Sequence, residues 1–418
     1  MASNSGIEVA ESKNVELVAY HPTEKRPPFK FGMQVHEGRW YLYCTHLWHC
    51  GWTIFDVTDP SEPRLVKWID GPPNTWTIQI QVAEGKMITG LEKIAGGHDA
   101  RAMAWGHDPS KGWEEGIMIW DVANPVEPRF LGQYRTGGVG THRNFYDGGR
   151  YVHLSANLPG FKGHCYVIVD IADPSKPKEV SRWWWPGQNV AAGEGGTTSA
   201  SLHGPPYVVG DRVWLSYGRE GGVLLDISDI AKPRLVSRFA IGDFGSVLGV
   251  HTYLPIPERN LAVCSTEAIF EEGRDSANFI TLLDVADEAK PRALSFFPVP
   301  APGEGAPYKS YYTRGGKFGP HNVHMPHHHP CYAKLGNLLH VAYFNAGLRI
   351  YDIRDPHYPV EVGCFVPVDP PERLGSPELP RKLVTQYEEV VVDARGFIYV
   401  SDKNYGLTIL RYTGPDLD

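Results

Sequence analysis

The chain has 418 residues, with 48 acidic and 40 basic side chains and a formal net charge of −8. This balance gives no sign of nucleic-acid binding, and no apolar run approaches the ~20 residues that a membrane-spanning helix requires. The start of the chain lacks the basic and apolar regions of a signal peptide, so we expect a cytoplasmic protein whose six scattered cysteines are reduced.

A phrase of alternating apolar residues that ends in Asp, followed by one or two Pro, recurs along the chain at intervals of roughly 50–70 residues. Arg411 replaces the Asp in a decayed seventh copy. Repeats of this length built from short β-segments are typical of a β-propeller. Each Asp precedes a tight turn, where Asp caps backbone amides, so we expect these residues to be structural. The six intact copies carry Asp56, Asp121, Asp170, Asp226, Asp284 and Asp352.

Residues 201–239 illustrate how one repeat becomes four strands. An inner strand runs to Val209, and the pair Gly210-Asp211 predicts a tight hairpin turn. The second and third strands are expected at 212–217 and 222–227. The Pro that follows cannot donate to a β-ladder and turns the chain before the outermost strand at 235–239.

The two ends of the chain predict a closed ring. The last repeat ends at Tyr412 without an outer strand, whereas residues 15–20 resemble the outer strand at 63–68. We expect the N-terminal strand to complete the last sheet, because an unpaired edge invites aggregation. The predicted fold is therefore an all-β, seven-bladed β-propeller forming a single domain over residues 1–418. The alternative is a disordered N-terminal tail.

The segment Tyr166–Pro174, Tyr-Val-Ile-Val-Asp-Ile-Ala-Asp-Pro, resembles the repeat of the LVIVD-repeat family of predicted propellers. The resemblance extends over nearly the whole chain and implies the architecture. It implies almost nothing about the chemistry, because a fold does not determine a function.

Histidine occupies the start of the inner strand in four consecutive repeats: His142, His203, His251 and His321. Inner strands line the channel of a propeller, so these imidazoles could converge on a metal ion near one mouth. The alternative is that channel positions are polar and His is a frequent choice there. The other three repeats place Lys30 or Phe31, Thr77 to Gln79, and Tyr387 or Glu388 at this position.

Four imidazoles suit a transition metal, Fe(II) in the first place, with Mn, Cu or Zn as alternatives. His324 lies three residues after His321 and would face the opposite way on a strand, so we favour His321 as the ligand. By constellation only, the set resembles carotenoid-cleavage-type oxygenases, which are iron-dependent propellers. Selenium-binding/methanethiol oxidase proteins and oligogalacturonate lyases are other metal-linked propellers that it resembles. These resemblances imply different reactions.

Loops at the same mouth supply candidate groups for proton transfer and anion binding. Glu267 is our first choice as general base, because it follows the second strand of the repeat that carries His251, and we expect an apolar wall to raise its pKa. The cluster His327-His328-His329 lies in an insertion toward the opposite mouth and is expected to be structural. The other candidate residues are His46, His98, His107, Arg219 and Lys403.

Three functions are consistent with these patterns. The first is a metal-dependent oxidoreductase, in particular an oxygenase, acting on a small and conceivably aromatic substrate. The second is a metal-dependent lyase, isomerase or hydrolase. The third is a non-catalytic interaction propeller. We expect a small-molecule partner and neither nucleic acid nor membrane; the sequence leaves the oligomeric state open.

Overall fold

The computed structural model describes residues 7–94, 110–196, 199–326, 329–374 and 380–417. Nearly all of the regular structure is antiparallel β-sheet. Within these ranges, one four-residue helix, α1 (Tyr311–Arg314), and three short 3-10 turns interrupt the strands. No helix within these ranges is long and apolar enough to cross a membrane.

The strands follow one another as four-stranded meanders. The N-terminal strands are β1 (Val9–Lys13) and β2 (Val15–His21). The first meander contains β3 (Phe31–His36), β4 (Arg39–His46), β5 (Gly51–Asp56) and β6 (Arg64–Asp70). The second contains β7 (Thr75–Ala83), β8 (Lys86–Lys93), β9 (Gly116–Asp121) and β10 (Arg129–Tyr134). The third contains β11 (Gly140–Phe145), β12 (Tyr151–Asn157), β13 (His164–Asp170) and β14 (Lys178–Trp183).

The second half of the chain continues in the same way. The next meander contains β15 (Tyr207–Val209), β16 (Arg212–Ser216), β17 (Gly222–Asp226) and β18 (Arg234–Phe239), close to the bounds expected for 201–239. It is followed by β19 (Val250–Ile256), β20 (Leu261–Thr266), β21 (Ile280–Asp284) and β22 (Arg292–Phe296). The last strands are β23 (Leu338–Ala342), β24 (Leu348–Asp352), β25 (Val360–Pro367), β26 (Tyr387–Val392), β27 (Phe397–Asp402) and β28 (Leu407–Tyr412).

The predicted β-propeller fold is confirmed, although hydrogen bonding groups the described strands into six sheets. One sheet has eight strands, because the meanders β7–β10 and β11–β14 are joined by the residue pair Gly140 and Glu92. The number of blades therefore stays a prediction, since seven blades are obtained only if this sheet is divided at that pair.

The N-terminal strand pairs as the sequence predicts. Strand β2 runs antiparallel to β28, with Val15 opposite Tyr412 and His21 opposite Leu407. The preceding strand β1 was not anticipated, because residues 1–12 looked like a polar tail. It pairs with β25 and places Glu11 where its carboxylate accepts hydrogen bonds from Gly303 N at 2.7 Å and Tyr311 Oη at 2.6 Å.

The repeated Asp residues have the structural role expected of them. In each intact repeat, the carboxylate accepts a hydrogen bond from the backbone amide two residues later, at 2.8–3.0 Å. Asp56, for example, accepts from the amide of Thr58 and pairs with Arg39. This contact closes the turn between the third and fourth strands of the meander. The six cysteines are free thiols.

A first prediction concerns ring closure at β2. Ala19 is 5% exposed and belongs to an apolar cluster with Leu407 and Ile409. Ala19→Asp would bury an unpaired carboxylate there, so we expect the free energy of unfolding to fall by about 3 kcal/mol or more. Urea unfolding measures the change, with Glu16→Ala, at an exposed position of the same strand, as the control. An unfolding free energy unchanged by Ala19→Asp would show that this strand is unpaired in solution.

A second prediction concerns acid stability. His153 is buried in β12, its Nδ1 lies 2.6 Å from Tyr166 Oη, and burial lowers its pKa from 6.5 to about 3. Between these two pH values the unfolded chain binds a proton that the folded chain does not, so stability is lost as pH falls from 6.5 toward 3. His153→Phe should reduce the pH slope of the unfolding free energy by up to about 1.4 kcal/mol per pH unit.

Urea unfolding at several pH values between neutrality and pH 4 tests this, with His357→Phe as the control. The His357 side chain is 61% exposed, so its replacement leaves the slope near that of the original protein. If His153→Phe retained the original slope, His153 would take up its proton in the folded state and the prediction would be wrong.

Candidate metal centre

The inner strands of four meanders carry an irregularity at the same place. The antiparallel register shifts around Ile78 in β7, His142 in β11, His251 in β19 and Glu388 in β26. A bulge leaves one residue out of the ladder and re-aims its side chain. The residues left out of the ladder here are the ones that the spacing of the repeats places at the channel.

In the remaining repeats the equivalent residue lies outside a regular inner strand: Phe29 precedes β3, His203 precedes β15, and near His321 the pairing is the isolated bridge between Val323 and Val341. His203 N donates to Ser216 O, and His321 N donates to Ala342 O, each at 2.9 Å. Phe29 N donates to Thr45 O, also at 2.9 Å, so Phe29 takes the position for which Lys30 or Phe31 was expected. These single backbone bonds hold the side chains at the channel without an extended ladder.

The structure brings the four predicted histidines into one cluster. The ring centroids of His142 and His203 lie 4.4 Å apart, those of His203 and His251 5.2 Å, and those of His251 and His321 4.7 Å. His251 and His321 are almost completely buried. Four consecutive repeats thus bring their imidazoles together, and their binding of a metal stays a prediction.

Glu267 lies at the centre of this cluster. Its Oε2 is 3.1 Å from His203 Nε2 and 3.8 Å from His251 Nε2, and its Oε1 is 3.8 Å from His321 Nε2. Lys317 Nζ lies 3.3 Å from the same Oε1. The site therefore contains a carboxylate among the imidazoles, which the all-nitrogen ligand set proposed from the sequence did not include.

Two further carboxylates contact the outer nitrogens of the histidines. Glu92 Oε2 lies 2.6 Å from His142 Nδ1, and its Oε1 lies 2.9 Å from His164 Nε2. Glu388 Oε2 lies 3.0 Å from His321 Nδ1. An imidazole that donates its Nδ1 proton to a carboxylate keeps a lone pair on Nε2, the arrangement that outer partners impose on metal-binding His.

Buried ring nitrogens without a hydrogen-bond partner mark the same place. Among the described residues, His142 Nε2 and His251 Nε2 are buried and have no such partner. A buried polar atom left in this state costs free energy. A metal ion bound by the group to which each histidine belongs would satisfy its lone pair.

The distances around Glu267 fit metal ligation. Ligand atoms bound at about 2.0–2.2 Å from one ion lie about 3.0–4.4 Å from each other. The separations of 3.1 and 3.8 Å from Glu267 to His203 and His251 fall in this range, and these three residues form one compact group of potential ligands. Glu92, His142 and His164 form a second such group beside it.

The electrostatics keep the imidazoles neutral and the carboxylates charged. Burial lowers the pKa of His142 to about 3 and also lowers the pKa values of His203 and His251. Burial alone would raise the pKa of Glu267, but the charge of Lys317 and the adjacent imidazoles hold it well below its ordinary value. The expectation that an apolar wall raises the pKa of Glu267 is therefore wrong. An ionised Glu267 is better suited to hold a cation than to act as a general base.

A cavity of about 410 Å³ opens above the cluster, a size that suits a small-molecule ligand. His142, His203, His321 and Glu267 form part of its lining. Its walls are largely apolar, and Trp48 and Trp76 meet edge to face there at 5.5 Å. Other apolar lining residues are Phe29, Leu47, Ile78, Leu248, Ile269 and Phe270.

The additional candidates chosen from the sequence divide into two kinds. Lys403 lines the cavity and forms an ion pair with Glu388. His46 is fully buried away from the cavity wall, with Nε2 2.6 Å from Thr53 Oγ1, and Arg219 donates to Ser246 O at 3.2 Å, also off the wall. Neither faces the site as the loop assignment implied. His98 and His107 lie outside the described residues.

The choice of His321 over His324 agrees with the structure. His324 is buried elsewhere, with Nε2 2.8 Å from Ala333 O and Nδ1 accepting from Val392 N at 3.1 Å. In the His-rich insertion, His329 Nδ1 lies 2.8 Å from Cys331 Sγ and takes no part in the cluster. His327 and His328 lie outside the described residues.

Several site residues were not selected from the sequence. Glu92 lies near the end of β8, the second strand of its meander, much as Glu267 directly follows β20. This shared position, at the end of the second strand, is a sequence signal that indicates Glu92 as a site residue. His164 begins β13, the third strand of its meander. Lys317 lies in a long Gly-rich connection and carries no repeat signal.

Comparison with known proteins supports the architecture. The LVIVD repeat model matches residues 161–183 and 334–366. No curated protein sequence matches the chain significantly. Among solved structures, the WD40 repeats of RRP9 superpose with a TM-score of 0.56 at 11% identity, covering 97% of this chain and 98% of that one. The Pseudomonas aeruginosa periplasmic gluconolactonase PpgL gives 0.54 at 13% identity, covering 88% and 93%. Identities this low establish the fold alone, a β-propeller.

A third prediction tests the ligand set. His203→Ala and His251→Ala should each at least halve the metal content of protein purified without a His-tag, because each removes one imidazole from the group around Glu267. Glu388→Gln should weaken metal binding by about 10–100-fold, since it loses the charged partner of His321. Elemental analysis and competition with a chelator measure these effects.

His357→Ala is the matched control, because this exposed His lies in a turn far along the chain from any cluster residue. Unchanged metal content in both His203→Ala and His251→Ala would remove these residues from the ligand set.

Proposed function

We propose that this protein is a metal-dependent enzyme that acts on a small molecule bound in the channel-mouth cavity. One observation carries the proposal: the Nε2 atoms of three histidines surround the carboxylate of Glu267 at distances of 3.1–3.8 Å. The same group opens into a cavity with apolar walls. A cation site that is both enclosed and accessible from one side is what metal catalysis requires.

The donor set favours iron. Two imidazoles and one carboxylate with open positions are typical of non-haem Fe(II) oxygenases, and His203, His251 and Glu267 form such a group. His321 and His142 lie beside it and could add further nitrogen ligands. Calcium and magnesium prefer oxygen ligands and fit this set poorly. We therefore propose an oxygenase, in which the bound iron would activate O₂ next to the substrate.

The protein's own residues would orient and insulate this reaction. Glu92 and Glu388 hold His142 and His321 in the tautomer that presents Nε2 to the metal. Lys317 lies 3.3 Å from Glu267 and stabilises its negative charge. The indoles of Trp48 and Trp76 narrow the cavity and exclude water from the reacting groups.

A purely structural or interaction role accounts for this arrangement less well. Buried carboxylates and imidazoles cost free energy of desolvation, and a propeller that only binds a partner needs none of them on its channel axis. Clusters of buried ionisable groups with shifted pKa values in a cleft occur preferentially at functional sites.

The decisive experiment needs no substrate. The protein is purified without a tag, loaded anaerobically with Fe(II), and exposed to nitric oxide, which takes the place of O₂ at an open iron position. We expect an iron–nitrosyl signal in electron paramagnetic resonance, strongly reduced in His203→Ala and in Glu267→Leu and retained in His357→Ala.

Retention of zinc in preference to iron, with no nitrosyl signal, would reject the oxygenase and favour a metal-dependent hydrolase, lyase or isomerase. Once a substrate is known, turnover with and without O₂ separates the same alternatives. Undiminished anaerobic turnover would exclude oxygenase chemistry.

A further inference from the structure

We infer that the substrate of this site is an aromatic carboxylate whose acid group is bound at the cavity rim by Arg274 and Arg381. The inference rests on the proposed function, because it concerns the same cavity. It adds the chemical class of the ligand and the residues that recognise it, which lie away from the metal cluster.

The charge of the cavity wall is opposite to that of the protein. The chain as a whole has a formal net charge of −8. The described lining residues include the carboxylates of Glu267, Glu271 and Glu388. They also include five cations, which give the wall an excess of two positive charges: Arg143, Arg274, Lys317, Arg381 and Lys403. A bound divalent metal would increase this excess, so an anionic ligand is favoured.

Two of the five cations form ion pairs with buried carboxylates, and a third is itself buried at the floor. Lys317 lies against Glu267, and Lys403 pairs with Glu388. Arg143 is 2% exposed and donates from Nη1 to the carbonyl of His142 at 3.0 Å. Lys317 and Lys403 thus balance two of the buried carboxylates, and the buried Arg143 belongs to the floor of the cavity.

The other two cations lie at the rim with their guanidinium ends available. Arg274 Nε donates a hydrogen bond to Glu271 O at 3.1 Å, which orients the side chain. Both terminal nitrogens of its guanidinium then remain available to a ligand. Arg381 is held through its backbone amide, which donates to Glu271 Oε2 at 2.9 Å. Within the described residues neither guanidinium forms an ion pair. Glu271 thus ties both arginines to one edge of the cavity, and a guanidinium binds a carboxylate with two parallel hydrogen bonds.

The walls between rim and floor favour a planar ring. Trp48 and Trp76 stand edge to face at 5.5 Å, and Phe29 lines the same cavity. The guanidinium carbon of Arg274 lies 5.5 Å from the ring centroid of Phe270. At the rim, the aromatic surface of the cavity therefore adjoins a cationic group. Aromatic walls stack with an aromatic ligand, and the adjacent arginines place its carboxylate outward. The ring and its substituents then point toward the histidines.

Binding of three commercially available probes tests the inference. They are trans-cinnamate, cinnamyl alcohol, which has the same skeleton without the charge, and hexanoate, which has the charge without the ring. Calorimetry and quenching of tryptophan fluorescence give dissociation constants for metal-free and metal-loaded protein. We expect cinnamate to bind at least about tenfold more tightly than either other probe, because only it uses both the arginines and the aromatic walls.

Variants assign the effect to the rim. Arg274→Gln and Arg381→Gln should each weaken cinnamate binding by about tenfold and leave the affinity for cinnamyl alcohol unchanged. Both residues are exposed, so these variants should fold normally. Arg234→Gln is the matched control, since this exposed arginine pairs with Asp226 on an outer strand.

Three outcomes would overturn the inference, each in a distinct way. Equal affinity for cinnamate and cinnamyl alcohol would reject an anionic substrate. Cinnamate binding that requires metal and ignores both arginine variants would place the carboxylate on the metal. Absence of saturable cinnamate binding would reject the class. Arginine-dependent binding to a protein that holds no metal would instead leave the inference intact and refute the proposed function.

Discussion

Contacts between buried carboxylates and imidazoles on the channel axis constrain the rest of this structure. Glu92, Glu267 and Glu388 are almost entirely removed from water, and each contacts at least one histidine. Such groups are tolerated only when their partners are held in place, because an unpaired buried charge costs several kcal/mol. The partners come from separate meanders. The geometry of the ring therefore has to be accurate for the site to be stable, and the site in turn requires a closed ring.

The bulges of the inner strands reconcile two demands on the same residues. In a regular ladder, successive side chains alternate between the two faces of a sheet. They then fill the spaces between neighbouring blades, and this arrangement does not direct them into the channel. One extra residue in the strand frees His142, His251 and Glu388 from this alternation while the flanking residues keep their pairing. Lys30, from another repeat, pairs with Glu389 and contacts Asn322, so this buried carboxylate also has a partner of opposite charge.

Much of the fold and part of the site follow from the sequence, for reasons that particular residues show. The repeated Asp and Pro residues predicted the turns, because they act within the turn itself. The histidines predicted the channel, because they recur at one position of the repeat. Glu267 could be selected from the sequence, but the direction of its pKa shift could not be predicted. The charge that lowers this pKa belongs to Lys317, which is distant in the sequence. Glu92 and His164 were missed because the contacts that Glu92 makes with His142 and His164 form only through folding. The strand β1 was missed because its residues are largely polar and its partner lies at the other end of the chain.

The N-terminal segment has a consequence for how this protein is made. Strand β1 extends the sheet of β23–β25, and β2 completes that of β26–β28, so residues 9–21 are synthesised long before the strands with which they pair. During synthesis, residues 9–21 remain without partners while the intervening meanders form. Contacts over nearly the whole chain length slow folding and leave β-edges open to intermolecular pairing. Ring closure through these strands therefore has to wait until β25 and β28 have been synthesised.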